Sequence, residues 1–187
     1  PQRPAPGPGA LLYLTVLSAM FMHGGWAHIG GNLLYLWIFG DNVEHRFGTA
    51  PFLLFYLTSG VVATVVQVAM SPEGVIPNLG ASGAIAGVLG AYLVLFPKNR
   101  VHAVFFVRVV SVPAILVLGL WIGLQFFNQW GATAASEATG GVAYGAHIGG
   151  FLTGMAVALM HRSFGGTERP NVLEPAIRAD PRTRRLW

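Results

Sequence analysis

Charged residues divide the chain into five long uncharged stretches. These stretches cover positions 4–40, 47–72, 74–97, 109–136 and 138–161, and they are 24 to 37 residues long. About 20 apolar residues in a helix cross the roughly 30 Å of hydrocarbon in a bilayer, so each stretch is long enough to hold a membrane span. The pattern therefore predicts an all-α fold, a polytopic membrane helix bundle.

Five helices are predicted within these stretches. We place them at 26–39, 51–70, 82–96, 110–127 and 142–160. The first and third are short for a full crossing. This predicts that neighbouring residues extend them or that they border a water-accessible recess.

The composition supports a membrane protein. Hydrophobic residues make up 53% of the chain and charged residues 10%, against a charged share of about 25% in soluble domains, which argues against a soluble enzyme. The absence of cysteine excludes a disulfide framework, a thiolate nucleophile and a thiolate metal site. The net charge of +4 comes from Lys and Arg beside apolar stretches, so it predicts orientation in a lipid bilayer and no nucleic-acid partner.

The loops between the predicted helices differ in charge. Lys and Arg occur in the loops at 41–48 and 97–108 and at the start of the tail, whereas the loops at 71–80 and 128–141 hold one Glu each and neither Lys nor Arg. By the positive-inside rule the first three segments are cytoplasmic and the other two face outward.

Three segments are expected along the chain. Residues 1–10, with four prolines and two glycines, are expected to be a flexible connection inside a longer gene product. Residues 11–162 form the transmembrane domain. Residues 163–187 form a cytoplasmic basic tail.

Polar residues inside a bilayer are costly and are functional candidates by default. Three of the six histidines, His23, His28 and His147, lie in or at apolar segments. Asn32 follows His28 by four residues and shares its helix face. The remaining histidines lie in cytoplasmic loops or at a helix end, where solvated side chains are the simpler interpretation: His45, His102 and His161.

A candidate nucleophile, Ser82, lies where an outer loop enters the third predicted helix. His147 also enters its helix from the outer side, so both lie within roughly 10 Å of that surface by helical rise. Small residues recur every four positions on both helices, which allows close approach of their backbones. They are Gly83, Gly87 and Ala91 on one helix and Ala146, Gly150 and Gly154 on the other.

Such packing could bring the imidazole within hydrogen-bonding reach of the serine hydroxyl, as a base-activated nucleophile requires. No carboxylate is expected at that depth, so the residues favour a Ser-His dyad without a third member. His28 and Asn32 are the candidate donors to an oxyanion.

Four motifs now resemble those of the rhomboid family of intramembrane serine proteases, in order and in spacing, over about residues 11–162. They are His23-Gly-Gly-Trp-Ala-His28-Ile-Gly-Gly-Asn32, Glu44-His-Arg46-Phe-Gly48, Gly80-Ala-Ser82-Gly83 and Ala146-His147-Ile-Gly-Gly150 with Gly154.

The resemblance implies a six-helix core, of which this chain holds five helices and the first lies upstream of Pro1. Ser82 would be the nucleophile and His147 the general base, without a cofactor or metal. His28, Asn32 and the backbone N–H of Ser82 would form the oxyanion hole. The implied supporting residues are His23, bonded to the outer loop, Glu44 and Arg46 at the cytoplasmic end, and Gly80, Gly83, Gly150 and Gly154.

The resemblance further implies that the substrates are transmembrane segments of other membrane proteins, cut near their outer ends. The outward orientation suits a bacterial inner membrane. The sequence departs from the pattern at position 86, where Ala stands and some members carry a Tyr that stacks on the catalytic histidine. Something else must then orient His147.

Alternatives remain open at this stage. The first is an inactive rhomboid-like protein that binds membrane helices without cleaving them. The second is a metal site formed by His23, His28 and His147, although no carboxylate or H-E-x-x-H motif accompanies them. A transporter has little support, because histidine is the only ionisable residue in the apolar spans. The sequence indicates no particular oligomeric state.

Overall fold

The computed structural model describes residues 9–72, 79–105, 107–135 and 142–164. The predicted all-α bundle is confirmed, with one antiparallel two-stranded hairpin added to it. The outer-loop residues 73–78 and 136–141, most of the predicted connection at 1–10 and most of the tail at 163–187 lie outside the described residues.

In chain order the elements are α1 (Ala10–Ala19), α2 (Trp26–Tyr35), a π-helical turn (Leu36–Gly40), α3 (Asp41–Phe47), α4 (Thr49–Met70), α5 (Ser82–Leu95), β1 (Arg100–Phe105), β2 (Arg108–Pro113), α6 (Ala114–Ala135) and α7 (Tyr144–Ser163).

Helix α5 is the centre of the bundle. Every residue from Gly83 to Tyr92 is buried, and α7 and α4 make the most extensive contacts with it. At the far end of α5, the Arg162 guanidinium of α7 donates to the Val94 carbonyl oxygen over 3.1 Å. Since α7 also meets α5 near Ser82, the two helices run parallel and in close contact along their length.

The small-residue faces predicted on α5 and α7 lie against each other. A Cβ on Gly150 would overlap the carbonyl oxygen of Gly83, and a Cβ on Gly154 would overlap that of Gly87. Helix α4 packs against the same region of α5, where a Cβ on Gly87 would lie 2.6 Å from the Cβ of Ser59 on α4 and 3.3 Å from the Gly150 carbonyl oxygen on α7. The backbones therefore approach as closely as glycine allows, and van der Waals contact between helices drives association where lipid offers no hydrophobic gain.

The outer faces of α4 and α6 are apolar and exposed. Both helices contain a segment long and apolar enough to cross a bilayer, with mean hydropathy of 1.9 for Thr49–Met70 and 1.2 for Ala114–Gly131. Such faces fit contact with lipid chains. The large exposed side chains on these two helices include Leu53, Leu54, Val65 and Val68 on α4 and Leu116, Leu120, Leu124 and Phe127 on α6.

The prediction of a loop at 41–48 is wrong. The backbone is helical from Trp26 to Phe47, through the π-helical turn and into α3. Charged side chains such as Asp41 and Glu44 mark where a helix leaves the apolar region, but they do not end the helix itself. Gly48, with a φ of 90°, ends it instead. The short first helix is thus extended by its neighbours, one of the two predicted outcomes.

Three further segments differ from the prediction: the β-hairpin, helix α6 and helix α1. The loop at 97–108 contains β1, and β2 replaces the predicted start of a helix at 110, because β-branched residues such as its three valines favour a pleated strand. Helix α6 begins only after Pro113 and continues to Ala135, through part of the predicted outer loop at 128–141. Helix α1 was not among the predicted helices; it lies in the apolar run before the His- and Gly-rich segment.

We predict that Gly154→Ala destabilises the bundle, because the added methyl group would overlap the Gly87 carbonyl oxygen and α7 would have to shift. The expected loss is about 1 to 3 kcal/mol, seen as a lower unfolding temperature in detergent. Gly123→Ala on α6 is the matched control, since its Cβ meets nothing within 4 Å and Ala favours a helix. Equal unfolding temperatures for the two variants would contradict this account.

Candidate active site

The N-terminal ends of α5 and α7 bring Ser82 and His147 together. Ser82 is the first residue of α5 and His147 is the fourth residue of α7. His147 Nε2 lies 2.9 Å from Ser82 Oγ, a hydrogen-bonding distance. The parallel course of the two helices and their glycine contacts fix this proximity.

A residue that sequence reasoning missed contacts the other side of the imidazole. Gln125, buried on α6, places its Oε1 2.9 Å from His147 Nδ1. The Trp121 ring of the same helix lies beside the imidazole, with 5.6 Å between ring centroids. Gln125 is an amide within a predicted membrane span, so the cost of polar groups in lipid could have identified it. Considering only the ionisable residues of the spans did not identify Gln125.

His28 and Asn32 lie one turn apart on α2 and both reach Gly80, just before Ser82. A Cβ on Gly80 would lie 2.8 Å from His28 Nε2 and 3.5 Å from Asn32 Nδ2. Gly80 has a φ of 107°, a conformation that side chains disfavour, so glycine is required there on both grounds. The Gly80 N–H donates to the Ala19 carbonyl oxygen over 2.9 Å, which ties this turn to α1.

The donor atoms of these two side chains are available. The Gly24 N–H donates to His28 Nδ1 over 3.4 Å, which leaves the proton of a neutral ring on Nε2. Asn32 is buried, and its Nδ2 has no hydrogen-bond partner among the described residues. The Ser82 N–H belongs to the first turn of α5, whose N–H groups lack partners within the helix.

These side chains line one cavity of about 390 Å³ at the end of the bundle. Its lining includes His28, Asn32 and Tyr35 of α2, Trp121 of α6, Ser82 of α5 and His147 of α7. No Asp, Glu, Lys or Arg is among the residues described around it. Among the described lining residues, the two histidines are therefore the only side chains that can carry a positive charge.

The other predicted supporting residues lie farther away. His23 stacks edge-on with His28, with ring centroids 5.2 Å apart, and its buried Nε2 has no partner within the described ranges. Glu44 and Arg46 lie on α3; Arg46 is 14 residues beyond Asn32 along the continuous helical segment, or about 20 Å. They are not brought to the site. Gly83 and Gly150 lie in the α5–α7 contact instead.

The three histidines of the alternative metal site do not converge. His23 and His28 are neighbours, but both ring nitrogens of His147 are hydrogen bonded, to Ser82 and to Gln125. Within the described residues, no group of three His, Asp or Glu side chains has the arrangement of a metal site. The geometry favours a paired serine and histidine.

The chain is similar in sequence to proteins of one known family. Residues 12–164 match the Rhomboid domain family. The chain is 34% identical over 144 residues to Rhomboid protease GluP of Bacillus subtilis, which covers 77% of this chain and 26% of that protein. It is 30% identical over 146 residues to Rhomboid protein 1, mitochondrial, of Saccharomyces cerevisiae, covering 76% of this chain and 40% of the relative.

A human protein, Presenilin-associated rhomboid-like protein, mitochondrial, is 30% identical over 157 residues, covering 78% of this chain and 37% of the relative. The chain thus spans about a quarter to two fifths of the length of these curated relatives. Rhomboid proteins are multi-pass integral membrane proteins, in agreement with the helix bundle. The family match over most of its length shows that the chain belongs to the rhomboid family.

Proposed function

We propose that this chain is an intramembrane serine endopeptidase that cleaves transmembrane segments of other membrane proteins through Ser82 and His147. The observation that carries the proposal is the 2.9 Å contact between His147 Nε2 and Ser82 Oγ, in a cavity that also contains His28 and Asn32. The relative named Rhomboid protease GluP supports the same activity class.

In the proposed reaction, Ser82 Oγ–H donates to the unprotonated Nε2 of His147. As Oγ attacks a peptide carbonyl carbon, the proton moves to Nε2, and the resulting imidazolium returns it to the leaving amine. An acyl-enzyme on Ser82 remains, and a water molecule activated by the same nitrogen hydrolyses it. Both steps use the neutral imidazole of His147 as the base. The positive charge that forms on its ring is transient, and the proposed reaction includes no carboxylate.

The oxyanion of the tetrahedral intermediate would be held by three donors from two directions. His28 Nε2–H and Asn32 Nδ2–H₂ come from α2, and the Ser82 N–H comes from the first turn of α5. The N-terminal end of α5 also carries partial positive charge, which stabilises an anion there. Donors fixed in advance stabilise the charge that develops on reaction.

The length of α5 accounts for a site below the membrane surface. Its 14 residues span about 21 Å, against roughly 30 Å of hydrocarbon, while α4 and α6 have 22 residues each. If the far end of α5 lies at one surface, Ser82 lies several ångströms below the other, with longer helices as walls. Water could enter such a recess from that surface.

The location of the cations supports the proposed orientation. Arg162 and the hairpin-bearing segment with Lys98 and Arg100 lie at the end of the bundle away from Ser82. By the positive-inside rule, the proposed site faces the outer side of the membrane. The relatives are bacterial and mitochondrial, and of these two kinds of membrane we propose a bacterial inner membrane. A substrate helix must unwind locally before attack, because its carbonyl groups are already hydrogen bonded.

We predict that a serine-directed fluorophosphonate labels the full chain in liposomes and that Ser82→Ala and His147→Ala abolish labelling. The wild type should also cleave a single-span reporter protein that has Gly and Pro near the outer end of its span. Ser59→Ala is the control, since Ser59 is fully buried on α4 and does not line the cavity. An unlabelled wild type beside a labelled active rhomboid would favour helix binding without cleavage.

A second prediction concerns the oxyanion donors. Asn32→Ala should lower kcat for the reporter about 100- to 1000-fold, as the loss of one such donor does in other serine hydrolases. Asn42→Ala, on α3 at the other end of the same helical segment, is the matched control and should cleave normally. Equal activities of the two variants would remove Asn32 from the proposed oxyanion hole.

A further inference from the structure

We propose that Gln125 is the positioning residue that holds His147 in the tautomer and ring orientation that catalysis requires. The inference rests on the proposed function, because it concerns the same serine and histidine. Its basis is the 2.9 Å contact between Gln125 Oε1 and His147 Nδ1. This amide occupies the place on the imidazole where a serine protease triad has a carboxylate.

The orientation of the Gln125 amide is determined by its own helix. Gln125 Nε2 lies 3.3 Å from the carbonyl oxygen of Trp121, one turn earlier on α6. A carbonyl oxygen can only accept a hydrogen bond, so the NH₂ group must face Trp121 and the Oε1 must face His147. The oxygen can in turn only accept, so the proton of neutral His147 lies on Nδ1. Nε2 is then unprotonated toward Ser82.

Ring contacts fix the imidazole from another direction. The Trp121 ring lies 5.6 Å from the imidazole at an angle of 38°, and it also contacts Phe151 on α7, at 6.1 Å. Position 86 carries Ala and offers no ring. Helix α6 therefore supplies both the hydrogen-bond acceptor at Nδ1 of His147, from Gln125, and the aromatic ring beside the imidazole, from Trp121.

A neutral amide suits a site at membrane depth. A carboxylate would bring a charge that has to be desolvated, at a cost that a hydrogen bond to a neutral ring does not repay. The amide accepts from Nδ1 in the neutral ring and equally in the imidazolium, so the hydrogen bond persists through the reaction. The amide adds no full charge beside His147.

The test compares Gln125→Met with the wild type in liposomes, using cleavage of the single-span reporter. Methionine fills a similar volume but accepts no comparable hydrogen bond, so kcat should fall about 10- to 100-fold. KM should stay within about twofold, because Gln125 is not among the residues lining the cavity. Gln129→Met, which removes another buried amide one turn further along α6, is the control and should retain kcat.

Gln125→Glu adds a readout that a purely structural role would not change. A carboxylate at Nδ1 would stabilise the imidazolium, so the acidic limb of the kcat/KM profile should move to higher pH while activity is retained. The titratable groups that border the cavity with His147 are His28 and Tyr35, and both remain in the variant. Equal losses of kcat in Gln125→Met and Gln129→Met would overturn the assignment.

Nitrogen NMR of labelled His147 separates this inference from the proposed function, since it needs no activity. The wild type should carry its proton on Nδ1, and Gln125→Met should move the population toward the Nε2–H tautomer. A wild type with the proton on Nε2 would overturn the positioning role even in an active enzyme. An inactive wild type with the proton on Nδ1 would support the positioning role and refute the proposed protease function.

Discussion

The close approach of the α5 and α7 backbones is the constraint on which the site depends. Glycine carbonyl oxygens of α5 occupy the space that side chains at Gly150 and Gly154 would need, so the two helix backbones are in direct contact along this face. Ser82 and His147 extend from the same ends of these helices. Their 2.9 Å contact therefore follows from backbone packing rather than from mobile side chains.

Neutral hydrogen-bonding groups lower the desolvation cost of a polar site at membrane depth. The Trp121 carbonyl, Gln125, His147 and Ser82 form a chain of hydrogen bonds that joins α6, α7 and α5, and buried groups that are paired in this way avoid most of the desolvation cost. Asn32, which lines the cavity, is not paired in this way, since its buried Nδ2 lacks a partner among the described residues. An unpaired donor beside a nucleophile is what an oxyanion site requires before substrate binds.

Sequence reasoning succeeded where local chemistry determines structure. Uncharged stretches located the spans, and small residues at spacing four on α5 and α7 predicted the face through which these helices pack. It failed where backbone and solvent preference differ: Asp41 and Glu44 indicated a loop, although α3 is a helix leaving the apolar region. Gln125 lies 22 residues from His147 in sequence, and only the packing of α6 against α7 brings them together. No periodicity along the chain encodes that contact.

The central claim is that Ser82 is an activated nucleophile facing a preformed oxyanion site. The most direct test is an experimental structure of the full chain in lipid nanodiscs after inactivation with a fluorophosphonate. The account predicts a phosphonate bonded to Ser82 Oγ, with its phosphoryl oxygen at hydrogen-bonding distance from His28 Nε2, Asn32 Nδ2 and the Ser82 nitrogen. A phosphonate on another residue, or a phosphoryl oxygen directed away from these donors, would contradict it.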